Sequence, residues 1–167
     1  MSLPQFDPEK DLKLERVVDV PRNLIWRAWT EPKHLLPWFC PKPWSTVACE
    51  IDLRPGGKFN TTMRSPEGKD YPNDGCYLEV VPNERLVFTN CLHEGFRPAH
   101  SGAEHCGDGL LMTAHLILED LGNGKTRYTA YALHNDTAGR DKHEQMGFTE
   151  GWGTVLTQLV EYCKEQM

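Results

Sequence analysis

No stretch of this 167-residue chain stays apolar for anything near the ~20 residues that a membrane span needs, so no membrane partner is expected. Basic runs are missing too, and the formal net charge is −6. Both features argue against nucleic acid, whose phosphates demand a cationic footprint. The N-terminus, MSLPQFDPEKD, lacks the basic and then apolar regions of a secretory signal, which makes the cytoplasm the expected compartment. Six cysteines show no Cys-x-x-Cys pair and no regular spacing. In a reducing compartment they are expected as free thiols, several packed as small hydrophobes. There is no Gly-x-Ser-x-Gly, no glycine-rich phosphate loop and no dinucleotide fingerprint, which excludes those chemistries as the main function. Repeats, low-complexity tracts and linkers are also missing. One domain over 12–167, preceded by a short arm over 1–11, is the expected organisation.

What is present falls into two periods. Leu12 to Val20 reads as a strand. Pro21 then opens a short amphipathic helix, and Thr30 is placed to cap a second one over EPKHLLPWF. From Ser45 the period becomes two: Val47, Cys49, Ile51 and Leu53 alternate with polar neighbours. The turns Arg54-Pro-Gly-Gly, Ser65-Pro-Glu-Gly, Asn73-Asp-Gly and Pro82-Asn-Glu separate further strands, and Leu121-Gly-Asn-Gly-Lys closes a last hairpin. His93–Gly109 reads as a long loop. The tail from His143 to Cys163 carries Met146, Trp152, Val155, Leu156, Leu159, Val160 and Cys163 at helical steps, with Gly147, Gly151 and Gly153 in or beside its first turns. Glycine costs a helix interior roughly 1 kcal/mol relative to alanine. Close approach to the sheet, a kink or space left open for a ligand offsets that, or the helix begins only at Gly153. Strands segregated from helices predict an α+β fold: a curved antiparallel sheet of about seven strands around the C-terminal helix, with two short helices after the first strand.

Three segments carry a resemblance: RVVDVPRNLIWRAWTEPKHLLPWF, CEIDLRPGGKFNTTMRSPEGKDYPNDGCYLEVVPNERLVFT and MGFTEGWGTVLTQLVEY. Together they resemble the Hsp90-ATPase-activator-homologue-1-like branch of the START/Bet v 1-like superfamily, from about Leu12 to Cys163. The resemblance implies a helix-grip fold with an elongated apolar cavity. Where many relatives resemble Trp-Trp-Gly-Pro, this chain has Trp38-Phe39-Cys40-Pro41, which puts Cys40 at the expected cavity mouth. Regulation of Hsp90 itself is not expected, since 167 residues leave no room for a further chaperone-binding domain.

Strand alternation lets Phe59, Met63, Leu86, Phe88 and Met112 share a concave face with Met146 and Trp152, while Trp38 and Tyr77 suit the mouth. Methionine adapts to varied ligands, and Trp or Tyr adds an oriented polar contact. The ligand-binding set is therefore Trp38, Phe59, Met63, Tyr77, Phe88, Met112, Met146 and Trp152. A solid core would use the same residues. Among acid–base candidates (Glu50, Asp52, Glu79, His115 and His134), His115 stands out because it shares a strand face with Leu111, Thr113 and Ile117. It is the best catalytic candidate. His93, His100, His105 and Cys106 crowd one loop in no established zinc spacing, so no metal or cofactor is expected.

Three functions remain. The leading one is binding of a small hydrophobic or aromatic molecule, lipid-like or polyketide-like. The second is a cyclase/dehydratase- or hydrolase-type enzyme in the same cavity. The third is an interaction protein or homodimer working through an exposed patch at Trp38, Phe39 and Trp44.

Overall fold

The structure is a computed structural model and describes residues 4–99 and 110–167. Strand β1 (Asp11–Val18) leads through Pro21 into helix α1 (Arg22–Thr30) and the single turn α2 (Pro32–Leu35). Strands β2 (Ser45–Ile51), β3 (Lys58–Arg64), β4 (Asp70–Val81) and β5 (Arg85–Thr89) form a meander. A small ribbon follows, β6 (Leu92–His93) paired with β7 (Arg97–Pro98) around a 3-10 turn. Strands β8 (Thr113–Gly122) and β9 (Lys125–Leu133) close the sheet, and α3 (Thr137–Gln145) and α4 (Phe148–Gln166) end the chain.

Seven strands pair antiparallel in the order β1-β9-β8-β5-β4-β3-β2. This is the expected α+β helix-grip architecture. Register shifts between Thr46 and Ala48, Tyr77 and Glu79, and Asp120 and Gly122 insert bulges, which bend and twist strands locally. Alternation sends one set of side chains inward under α4. Leu86, Leu116 and Ala130 lie in register across three strands, and Leu118 faces Tyr128. Ile25, Leu35, Trp38, Leu156 and Leu159 seal this layer, each at most 1% exposed.

Several local expectations are corrected. Thr30 does not cap α2. Its hydroxyl donates to the Trp26 carbonyl at 2.7 Å, a helix-internal bond that leaves α2 without a side-chain cap. Asn73-Asp74-Gly75 is not a turn but lies within β4, because its backbone pairs with Phe59, Asn60 and Thr61. The tail is two helices rather than one. Asp136 caps α3 by accepting the Gly139 N–H at 2.8 Å, and Gly147, at φ +92°, breaks the chain before α4. Only glycine takes that left-handed conformation at no steric cost. The stretch 93–109 is a loop only in part, since it starts with the β6–β7 ribbon. His100, His105 and Cys106 fall outside the described residues.

Candidate functional site

Between the sheet and the first turns of α4 lies a cavity of about 300 Å³. The sheet supplies Met63 from β3, Phe88 from β5 and Tyr128 from β9, with Met112 from the approach to β8. Trp29 of α1 and the connection Phe39–Pro41 form one wall. His143, Met146, Gly147, Phe148, Gly151, Trp152 and Val155 form the other. Two polar side chains hold the walls in place. Gln158 of α4 donates to the carbonyls of Trp38 and Cys40 at 3.0 and 2.9 Å and accepts the Lys42 N–H at 3.1 Å, tying the 38–42 connection to the helix. Asn90 accepts the Met112 N–H at 2.9 Å and donates to the Leu110 carbonyl at 2.7 Å, which fixes the entry to β8.

Of the eight ligand-binding residues expected, Met63, Phe88, Met112, Met146 and Trp152 meet at this cavity. Trp38, Phe59 and Tyr77 do not line it. They are core residues: Trp38 donates its indole N–H to the His34 carbonyl at 2.8 Å, and Phe59 stacks on Tyr77 with ring centroids 5.2 Å apart. Leu86 is likewise fully buried. Cys40 is sealed rather than placed at a mouth, receiving a hydrogen bond from the Thr46 hydroxyl at 3.3 Å. The expected apolar surface patch is not formed either. Trp38 is 1% exposed and Trp44 packs against Tyr71 with centroids 5.5 Å apart.

His115 is also displaced from the cavity. In β8 the inward positions are Ala114, Leu116 and Leu118, so His115 points to the opposite face, in register with Val87 and Tyr131. That outer face is itself partly covered, as the buried Arg85, Val87, Thr129 and Tyr131 show, with Phe6 of the N-terminal arm 5.9 Å from the Tyr131 ring. Desolvation and the Arg85 charge therefore lower the His115 pKa. The acidic candidates have local partners as well. Glu50 pairs with Lys58 and Asp52 with Arg54, both at 2.7 Å on the surface, and Glu79 lies 3.8 Å from Arg85.

The polar group that does reach the cavity is His143. Residue order alone could not find it, because its partner His134 is the residue just after β9. His134 Nδ1 lies 2.8 Å from the Lys10 carbonyl, and its Nε2 lies 3.0 Å from His143 Nδ1. The Asp11 carboxylate accepts the His134 backbone N–H at 3.4 Å. Phe148 and Trp152 flank the His143 ring with centroids at 5.1 and 5.9 Å. Burial, then the neighbouring His134, push the His143 pKa down to about 4, so the ring is neutral near pH 7. Trp29 Nε1 is buried beside the Tyr128 phenol, whose pKa burial pushes up against a smaller opposing pull from the indole N–H. Among the described residues no group of three or more His, Cys, Asp or Glu could hold a metal ion, and no helix is long and apolar enough to cross a membrane.

Solved structures share this architecture along the whole chain. A protein from Nitrosomonas europaea is 48% identical, with 96% of this chain and 98% of that one aligned at a TM-score of 0.88. A Mycobacterium smegmatis protein matches at 21% identity, 92% and 90% coverage and TM-score 0.71. The AHSA1 protein from Silicibacter pomeroyi matches at 21% identity, 94% and 99% coverage and TM-score 0.66. The last two likenesses bear on the fold alone. No curated protein matches the sequence. The model of the family described as "Activator of Hsp90 ATPase homolog 1-like protein" matches residues 19–164, nearly everything from the end of β1 to the last turn of α4, and the chain belongs to that family.

Proposed function

We propose that the protein binds a small hydrophobic or aromatic molecule, lipid-like or polyketide-like in character, in the cavity beneath the start of α4. The observation that carries this reading is a void of about 300 Å³ walled by aromatic rings, three methionines and two glycines, between the sheet and the start of α4. Burying apolar ligand surface there is favourable by ~25 cal/mol per Å². Methionine walls adapt to ligand shape, and a few polar groups set orientation. Family context supports the reading, since hydrophobic ligands are common among members. The same reading has the protein cytoplasmic, with no nucleic acid or membrane as partner.

A second reading, catalysis on the bound molecule, draws on the buried His134–His143 pair, which can accept a proton from the cavity side and share it between two rings. His143 takes the place of His115 in that reading.

The test uses Trp29 and Trp152, both in the cavity wall, as fluorescent reporters. Two-ring aromatics and medium-chain fatty acids are titrated into the wild type and into Gly151→Trp. A β-carbon at Gly151 meets nothing within 4 Å and the residue lines the cavity, so a side chain can start there and its indole is aimed at occupying the void. Saturable binding that the filled variant loses supports the proposal. A folded wild type that binds none of these compounds overturns it.

A further inference from the structure

The hydrogen bonds of the His134–His143 pair run in one direction, and that direction says what kind of ligand the cavity prefers. A carbonyl only accepts, so the 2.8 Å contact with Lys10 places a proton on His134 Nδ1. In the neutral ring, His134 Nε2 then carries a lone pair. The 3.0 Å contact with His143 is satisfied only if His143 Nδ1 carries the proton and donates it. His143 Nε2 is left as a bare acceptor. It has no hydrogen-bond partner among the described residues, and it is not one of the polar atoms sealed from solvent. Since the ring lines the cavity and its Nδ1 is engaged behind it, Nε2 is the atom offered to a bound molecule.

The groups that face the pair come from the start of β1 and from α4. Lys10, just before β1, presents its carbonyl to the His134 ring, and Asp11 of β1 its carboxylate to the His134 backbone N–H; from α4, Phe148 and Trp152 present only rings to His143. None of the other cavity walls brings a carboxylate or an ammonium group.

We propose that the cavity selects an apolar or aromatic molecule bearing a hydroxyl or N–H donor, which hydrogen-bonds to the unprotonated Nε2 of His143, while His134 acts as a positioning residue that fixes the tautomer. This rests on the cavity-binding reading above and sharpens it. A ligand with only acceptors, such as an ether or a ketone, gains nothing at that atom and leaves it desolvated. A phenol-type hydroxyl pairs with it at no cost to the apolar contacts.

The experiment compares naphthalene, 2-naphthol and 2-methoxynaphthalene by calorimetric titration at pH 7.5. The proteins are the wild type, His143→Phe, which keeps the ring packing, and His134→Phe, which removes the acceptor from behind His143. The expected wild-type result is a preference of about fivefold to tenfold for 2-naphthol over its methyl ether. His143→Phe abolishes that preference while retaining naphthalene, and His134→Phe reduces it. As a check needing no substitution, the 15N shift of His143 Nε2 in the wild type falls in the unprotonated range. Equal binding of the alcohol and the ether by the wild type, or a preference that survives His143→Phe, overturns the inference while the cavity reading stands. Failure of all three compounds to bind overturns the inference, and sinks the cavity reading too when the fatty acids also fail.

Discussion

The two halves of α4 cross the same sheet and make opposite interiors. Toward its C-terminus, Leu156, Leu159 and Cys163 are at most 2% exposed and share one cluster with Ile25, Leu35 and Trp38. Toward its N-terminus, Gly151, Trp152 and Val155 look onto empty volume. Backbone geometry is common to both halves, so the difference lies in side chains. Branched and aromatic residues interdigitate at one end. At the other, Gly151 offers no side chain, Met63 and Met112 are unbranched and adaptable, and the elbow at Gly147 sets His143 of α3 at the edge of the gap without filling it. A cavity in this fold is therefore a property of half a helix.

The sharpest way to break the comparison is truncation at each end. Leu159→Ala removes a fully buried side chain and is expected to cost ~2–5 kcal/mol. Met112→Ala trims a half-buried wall that already faces a void, and is expected to cost less than about 1 kcal/mol. Urea midpoints at constant slope give both numbers. Equal costs would mean that the open end is closed in solution.

The open end also carries a titration in the acid range. His143 has a folded pKa of about 4 against the ordinary 6.5, so the unfolded chain takes up the proton first as pH falls. Stability due to this ring is complete above pH 6.5 and declines as pH drops toward 4, by on the order of 3 kcal/mol in total. Denaturant curves between pH 6.5 and about 5, where carboxylates stay ionised, should show the wild type losing stability with acid. His143→Phe should be flatter across that window. Parallel curves for the two proteins would show that the ring is not desolvated.

How much of this was legible in the chain differs by level. Period-two and helical-period runs located all seven strands of the main sheet and the helix against it, because burial of one face leaves a pattern that survives translation into residues. Five of eight expected wall residues meet at the cavity for the same reason. Trp38, Phe59 and Tyr77 have the same apolar character, yet they sit behind the wall: Trp38 packs on Trp29 and Phe39, Phe59 on Phe39 and Phe88, and Tyr77 on Phe59. Alternation reports the face, not the position beneath α4. His115 failed on the face itself: its half-burial comes from cover over the outer side of the sheet, which no local pattern records. The pair His134–His143 was invisible for a different reason. Its two rings meet only because the chain turns back through Asp136 and α3, and nine residues of separation carry no helical or strand periodicity.

The elbow is the next place to sharpen the contrast. Gly147 adopts φ +92°, and alanine there pays a steric cost of about 1–2 kcal/mol even though a β-carbon would meet no neighbour within 4 Å. The loss should appear in thermal midpoint and, if α3 moves, in weaker binding of any aromatic probe. No loss would mean that α3 and α4 join in another way.

Gly151 tests the smallest effect and the opposite sign. It sits inside α4 with no left-handed φ, and its added β-carbon would touch nothing within 4 Å. Alanine is therefore expected to stabilise the helix by about 0.5–1 kcal/mol, through the entropy that glycine loses on folding. If stability were all that this position served, alanine would be the better residue. The methyl group, however, projects from the cavity wall and reduces the space available to a ligand. Gly151→Ala should thus raise the thermal midpoint while weakening binding of two-ring aromatics, a split that neither a solid core nor a mere loop residue would produce. A variant that is more stable and binds equally well would show that the glycine is not there to keep the cavity open.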